Sequence, residues 1–301
     1  MSERYHNPVL LKESVEALVD DPNGVYADCT FGGGGHSVEI LKRLGEQGRL
    51  IGFDQDEDAW KNELKDERFT LVRQNFRFLK NNLRYLGYRK LNGVLADLGV
   101  SSHQFDSPER GFSIRFDDER LDMRMNRASK LTAEKILNTY SEEKLADVFY
   151  NYGELRNARR MAREIVGSRK SEKIRTTADL KKIFSYIPKN RENKFLAQLF
   201  QSLRIEVNDE LAALKEMLIQ TGDLIEPGGK LVVISYHSLE DRLVKRYMKT
   251  GMFEGEPERD VYGNWESPFK PLQSKVMVPD EIEIETNPRA RSAKMRIAVK
   301  N

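Results

Sequence analysis

Apolar positions along the first third of the chain fall into short runs that alternate with helically spaced segments. Val25 to Thr30 is a brief apolar run ending at glycines, and His36 to Leu44 then places Val38, Leu41 and Leu44 on one helix side. Arg49 to Asp54 predicts a second buried strand and Asp56 to Leu64 a second helix. Phe69 to Val72 and Gly93 to Leu98 predict further strands, with a helix over Phe78 to Leu86 between them. Strands alternating with helices at this pace imply right-handed βαβ units and a parallel sheet.

That rhythm stops after Leu98. Ser107 to Arg127 is rich in charge and turn residues and reads as loop. From Thr132 to Phe200 the spacing is helical, over Ala133–Leu137, Glu142–Tyr150, Asn157–Val166, Thr177–Tyr186 and Glu192–Leu203, with no convincing strand between. Strand character returns at Lys230 to Tyr236, followed by a helix over Leu239 to Met248. Strand-like pieces follow at Ser274–Val278, Glu281–Glu285 and Met295–Val299, and Glu254 to Pro271 reads as a surface loop. The economical organisation is one α/β domain, residues 1–107 and 205–301, carrying an inserted all-helical domain, residues 108–204.

Composition narrows the class. With 39% hydrophobic and 33% charged residues, the 301-residue chain has a soluble globular balance. No apolar run approaches the roughly 20 residues that span a bilayer, and the opening Met1–His6 lacks a signal-peptide core. Cys29 is the single cysteine, so the chain has no intramolecular disulfide and no cysteine-based metal cluster. A reducing cytoplasm is the expected location, and no metal is expected.

The net charge of +2 conceals an uneven distribution. Glu154 to Arg204 holds fourteen Lys/Arg against five Asp/Glu. Clustered cations gain free energy by releasing counterions from phosphates, which points to a polyanionic partner; a solvated helical face is the other reading.

The chemistry-bearing feature of the first third is Asp28-Cys-Thr-Phe-Gly32-Gly33-Gly34-Gly35-His36, set between a strand and a helix. Glycines let a ligand approach the backbone, and the next helix offers unpaired N–H groups at its start. The dinucleotide spacing G-x-G-x-x-G counted from Gly32 needs glycine at position 37, which is Ser37. A nicotinamide-dependent oxidoreductase is disfavoured on that ground. The pattern Asp-x-x-x-Gly-x-Gly instead resembles the first motif of Rossmann-like methyltransferases, in which the carboxylate helps to organise the loop. Asp54 ends the second strand, where a carboxylate can accept both ribose hydroxyls.

Two further clusters share the carboxyl edge of the predicted sheet. Asp97-Leu-Gly-Val-Ser-Ser102-His-Gln104 follows the fourth strand, placing Asp97 and Gln104 where an adenine edge or a methyl acceptor would lie, unless it is an ordinary strand-end turn. Ser235-Tyr-His237-Ser-Leu-Glu-Asp241 follows the next long strand. Ser238 with Asp241 reads as an N-capping pair, and His237 as either a catalytic or a structural histidine.

Several stretches, in order and over nearly the whole chain, resemble the RsmH (MraW) family of bacterial small-subunit rRNA cytosine-N4 methyltransferases. They are His6–Leu11, Thr30–Ser37, Asp97–Ser102, Arg110–Ser113, Leu121–Met125, Phe200–Ile205 with Val207-Asn208, Ile234–Arg242 and Asn287–Ser292. Two departures stand out: His103 where proline is common, and Asp118-Glu-Arg120 in place of Asp-Gly-Pro, which bears on a substrate-side loop.

The resemblance implies a Rossmann-like class I methyltransferase domain with a helical insertion, and S-adenosylmethionine as cofactor. The cofactor would be contacted by Gly34, Gly35, His36, Asp54, Phe76, Asp97 and Gln104. A cytidine in the decoding region of 16S rRNA is the implied substrate, within the small ribosomal subunit or a late precursor, which makes the reaction part of rRNA processing. No membrane is implied, and a homodimer is compatible with the pattern.

Because exocyclic N4 is a poor nucleophile, an acceptor for one of its N–H groups would assist attack; Asp97, its neighbouring backbone carbonyls or His237 could serve, with the base unstacked into the site. Arg204 and Asn208, four apart on one helix face, and Arg289 with Arg291 are candidate RNA contacts, or else structural polar pairs. Carbon-5 methylation would need Cys29 as nucleophile, a role in conflict with its place on the first strand. A non-catalytic ribosome-assembly protein, with the basic segment as its whole task, is the remaining alternative.

Overall fold

The computed structural model describes residues 8–301; the Met1–His6 opening and the first two positions of the His6–Leu11 motif lie outside the described residues. In chain order the elements are α1 (Leu11–Leu18), β1 (Val25–Asp28), α2 (Gly35–Arg43), β2 (Arg49–Phe53), α3 (Glu57–Trp60), β3 (Phe69–Val72), α4 (Leu79–Tyr85) and β4 (Leu91–Asp97). There follow α5 (Ser102–Asp106), α6 (Ala133–Thr139), α7 (Glu142–Gly153), α8 (Ala158–Ser168), α9 (Thr177–Ile183) and α10 (Lys189–Asn208). The chain ends with α11 (Glu210–Leu224), β5 (Ile225–Ser235), α12 (Ser238–Thr250), β6 (Phe269–Pro271), α13 (Glu281–Thr286) and β7 (Lys294–Lys300).

These elements form two units. The first runs up to Gly99 and resumes at Leu211, and the second is Val100–Glu210. The first is a seven-stranded sheet in the order β3-β2-β1-β4-β5-β7-β6, with β1 to β5 parallel and β7 antiparallel to both β5 and β6. Strand side chains alternate between faces, and the two apolar clusters follow that alternation. Ala27, Ile51, Phe53, Val94, Ala96, Leu231 and Val233 pack with α4, α11 and α12 residues such as Leu83, Met217 and Tyr247. Tyr26, Leu50, Leu95, Val232 and Ile234 pack on the opposite face with Val15 and Leu18 of α1 and Ile40 and Leu41 of α2. Both faces are covered, which is why the central strands read as unbroken apolar runs. This is the Rossmann-like α/β class.

Met295–Val299 lies within β7, but the other two C-terminal strand expectations need correction. Glu281–Thr286 is a helix, capped by Asp280, whose carboxylate accepts from Glu283 N. Its Ile282 is 72% exposed, so the alternation of Glu and Ile there reflects no buried face. Ser274–Val278 contributes only an isolated bridge between Met277 and Met295. Conversely β6 lies inside the expected loop; as an edge strand it tolerates Pro271. The helix expected over Asp56–Leu64 is a single turn, α3.

The second unit is helical. Leu137, Leu145, Phe149, Met161, Ile165, Leu180, Leu199 and Leu203 form its core with Phe112, Leu121 and Met123 from the loop between α5 and α6. That loop is pinned: buried Arg110 donates to Arg124 O, and Arg124 grips Asp122 through Nε and Nη2, each at 2.7 Å. The unit boundaries therefore fall at 99/100 and 210/211 rather than at 107/108 and 204/205. The Asp118–Arg120 departure lies beside α9: Ala178 N donates to Asp117 O, and Arg120 bridges Thr176. No helix among the described residues is long and apolar enough to cross a membrane.

Candidate active site

The carboxyl ends of β1, β2 and β4 converge on the glycine loop. Asp28, the last residue of β1 and 1% exposed, accepts from Ser37 Oγ at 2.7 Å and from Thr30 N at 3.1 Å. Ser37, which breaks the dinucleotide spacing, is thus the residue that fastens the start of α2 to the carboxylate. Gly34 is the N-cap of α2 with φ +79° and supplies no side-chain cap, so the first-turn N–H groups are left to a ligand. Gly32 has φ +52°; its N–H donates to Asp54 Oδ2 at 2.8 Å, and its carbonyl accepts from Asn62 Nδ2 at 3.1 Å.

Asp54 therefore does more than wait for ribose hydroxyls. Its Oδ1 accepts from Asp56 N, also at 2.8 Å, and each oxygen keeps a second lone pair for a ligand. Desolvation dominates its electrostatics and pushes its pKa up to about 6; the Asp56 and Gly32 N–H bonds offset part of this, and nearby Asp56 and Asp28 add to it. Phe76 opens the 3-10 turn Phe76–Phe78 after β3 and packs, half-buried, against the sheet core.

His36 is 6% exposed, with Nε2 3.2 Å from Val9 O and Nδ1 3.9 Å from Asp97 Oδ2. A carbonyl only accepts, so Nε2 carries the proton and Nδ1 faces the carboxylate. Asp97 also accepts from the Tyr236 hydroxyl at 2.7 Å through Oδ1, while its own N–H donates to Thr30 Oγ1 at 2.7 Å. Its side chain is 21% exposed. Desolvation raises its pKa to about 6; His36 and the Tyr236 hydrogen bond pull it down, and Asp28 and Glu240 push it up.

Tyr236 was not among the expected site residues. It reaches Asp97 because Ile234 of β5 pairs with Asp97 of β4, a register that no sequence motif displays.

The remaining candidates fall out differently. His237, not Ser238, is the N-cap of α12, with Glu240 closing the capping box. His237 Nδ1 accepts from Glu240 N at 3.4 Å, and Nε2 lies 3.1 Å from Glu240 Oε1, so the structure shows His237 in a capping role. Asp241 holds Arg296 instead, at 2.7 and 3.1 Å.

Gln104 belongs to the second unit. Its N–H donates to Ser101 Oγ and its Oε1 accepts from Ser101 N, a capping box on α5. Asn208 is committed to the loop before α6: Oδ1 accepts from Met125 N, and Nδ2 donates to Met123 O and Arg204 O. Arg204 pairs with Glu210 through Nε and Nη2 at 2.9 and 3.0 Å. Both therefore make the polar pairs of the structural alternative. Arg289 is half-buried and Arg291 exposed on the turn before β7. Cys29 is 2% exposed in the sheet core, and burial pushes its thiol well above the usual range, which argues against a nucleophilic role.

The sequence model of the MraW methylase family matches residues 3–301. The chain belongs to this family. The ribosomal RNA small subunit methyltransferase H of Flavobacterium johnsoniae is 58% identical over 297 residues, covering 98% of each chain. The protein of that name from Flavobacterium psychrophilum is 59% identical over 292 residues, 97% of this chain and 100% of the relative. That of Bacteroides thetaiotaomicron is 58% identical over 297 residues, 98% and 97%.

As a methylase of this family, the chain uses S-adenosylmethionine as its methyl donor. The residues fit that group. A loop with positive φ at Gly32 and Gly34, an uncapped helix start and a carboxylate ending β2 suit a nucleoside bearing an amino acid and no pyrophosphate.

Proposed function

We propose that this chain methylates the exocyclic N4 of a cytidine in the decoding region of 16S rRNA, within the small ribosomal subunit or a late precursor, in the cytoplasm. The observation that carries the chemistry is the Asp97 carboxylate, with Oδ1 held by Tyr236 and Oδ2 left to accept an amine N–H. The relatives' shared name supports a small-subunit RNA substrate, and the motif resemblance supports N4 of cytidine. Gly34, Gly35, His36, Asp54, Phe76 and Asp97 would hold the cofactor.

The cofactor supplies a methyl group already activated on a sulfonium. The protein's task is alignment and electrostatics. Asp97 accepts one N4 hydrogen, which lets the nitrogen pyramidalise and aim its lone pair; after the N–C bond forms, the carboxylate takes the released proton. A polyanionic substrate suits the second unit. The buried face of α8 is Ala158, Met161, Ala162 and Ile165, and its outer side with the flanking residues exposes Arg156, Arg159, Arg160, Arg163 and Lys170. Arg160 pairs with Glu164 and Arg163 with Glu142, whereas Arg156, Arg159 and Lys170 make no ion pair among the described residues. Such a face supports phosphate contacts.

Mass spectrometry of small-subunit rRNA from cells with and without the protein tests the reading. One N4-methylcytidine is expected to disappear without it; an unchanged signal would overturn the assignment.

A second expectation concerns cofactor binding. Ribose hydroxyls donate to the charged form of Asp54, so binding lowers a pKa that is about 6 in the free protein. S-Adenosylhomocysteine affinity should therefore strengthen as pH rises through 6. It should be about tenfold weaker at pH 5 than at pH 7.5, with proton release on binding near pH 6. Calorimetry in buffers of different ionisation enthalpy measures both, and Asp54→Asn should abolish the dependence. A pH-independent affinity would show that Asp54 does not bind the ribose as a carboxylate.

A further inference from the structure

We propose that Tyr236 is a positioning residue for the carboxylate that accepts the amine N–H, its hydroxyl fixing Asp97 Oδ1 so that Oδ2 is the oxygen presented to the incoming amine. The inference rests on the assignment of Asp97 as the acceptor of the amine N–H.

Tyr236 is itself held in place. Its N–H donates to Glu240 Oε2 at 3.0 Å, and its ring lies against Gly99, where an added Cβ would sit 3.4 Å from ring Cδ2. The ring therefore packs on backbone two residues beyond Asp97, with the hydroxyl directed back at the carboxylate. On the carboxylate's other side His36 Nδ1 faces Oδ2, and Thr30 Oγ1 takes the Asp97 N–H. A carboxylate on a two-bond side chain would otherwise rotate between equivalent orientations; one short hydrogen bond selects between its oxygens.

The groups facing this pair are His36 from α2, Asp28 from β1, and Glu240 and Glu283 from α12 and α13. Burial first, then the charge of Asp97 and its hydrogen bond, push the Tyr236 hydroxyl well above its ordinary value. The phenol thus stays a donor throughout the neutral range. A donor to the ionised form also favours that form, so Tyr236 keeps Asp97 charged at lower pH than burial alone would allow.

Tyr236→Phe removes the hydroxyl and keeps the ring. The first readout is the pH profile of methyl transfer from labelled S-adenosylmethionine to small subunits prepared from cells lacking the protein. The acid limb should move up by about one pH unit, giving roughly threefold lower activity at pH 6.5 that recovers above pH 8. The second is independent of activity. In protein carrying 13C-carboxyl aspartate, with Asp97→Asn to assign the resonance, the titration of Asp97 should move upward by the same amount. Thermal melting with and without S-adenosylhomocysteine establishes that the variant folds and binds.

An unchanged pH profile together with an unchanged Asp97 titration would overturn the proposal. If Asp97→Asn kept full activity, the acceptor assignment would fall and with it the positioning role, even where the titration showed the contact to be real. If Asp97→Asn were inactive and Tyr236→Phe changed neither readout, the positioning role alone would fall.

Discussion

Asp97→Asn is expected to slow methyl transfer by two to four orders of magnitude, the usual range for removing a positioned proton acceptor. S-Adenosylhomocysteine affinity should change far less, because Asp28, Asp54 and the glycine loop remain. An asparagine oxygen could still accept from Tyr236. The amide nitrogen would then take the place of Oδ2 and present N–H to the N–H of the amine.

Stability should move the other way. The folded-state pKa of Asp97 is raised from 3.8 to about 6. The folded protein thus binds this proton more tightly than the unfolded chain, and stability declines as pH rises from about 4 to 6. Above pH 6 the charged group costs up to about 3 kcal/mol, reduced by whatever stabilisation asparagine loses from His36 and Tyr236. The variant should therefore melt higher than the parent at pH 8 and show little advantage at pH 4. Full activity in the variant would remove Asp97 from the chemistry; a lower melting temperature at pH 8 would show that its contacts outweigh its desolvation. A group whose removal stabilises the fold and abolishes turnover is held there by function.

The early strands were legible in the sequence because each is a short apolar run, and β1, β2 and β4 are each stopped by an acid at the carboxyl end. The same stops, Asp28, Asp54 and Asp97, are the cluster's carboxylates, so a topological rule about strand ends located them without any geometry. Elements not defined by burial were harder to read. Glu281–Glu285 alternates like a strand, yet with Ile282 exposed nothing selects a sheet face, and the Asp280 cap tips the segment to helix. Phe269–Pro271 is strand only through its pairing with β7.

Partners chosen across the sheet left no trace in the sequence. Tyr236 meets Asp97 through the β4–β5 register, and the cap at His237 and the loop contacts of Asn208 depend on which backbone groups lie beside them. Histidine is an uncommon N-cap, so the serine beside it was the natural reading. Arg204 and Asn208 share a helix face as their spacing implied, but the face is occupied: Arg204 by Glu210, Asn208 by the Met123–Met125 backbone.

Gly35→Ala is the second substitution with a large expected effect, and two physical terms oppose each other there. Gly35 is the first residue of α2, where alanine's better helix propensity would stabilise by at most about 1 kcal/mol. An added Cβ, however, would lie 2.2 Å from Pro8 Cγ and 3.0 Å from Pro8 Cδ. A change of ring pucker moves Cγ too little to relieve so short a contact, so the segment carrying Pro8 and Val9 must shift, at a cost of about 1–3 kcal/mol. That shift also disturbs the Val9 carbonyl on His36 Nε2, and through His36 the side of Asp97 that faces the cofactor loop. The clash wins: the melting temperature should fall by a few degrees and S-adenosylhomocysteine affinity by about tenfold or more. Pro8→Ala in the same chain removes Cγ and Cδ and leaves only Cβ, 3.6 Å from the new methyl group, an ordinary contact. The double variant should therefore recover most of both losses, a coupling of about 1 kcal/mol or more between adjacent residues. Parental stability and affinity in Gly35→Ala would show that the segment yields freely. Losses that Pro8→Ala leaves uncorrected would place the damage in the loop backbone itself.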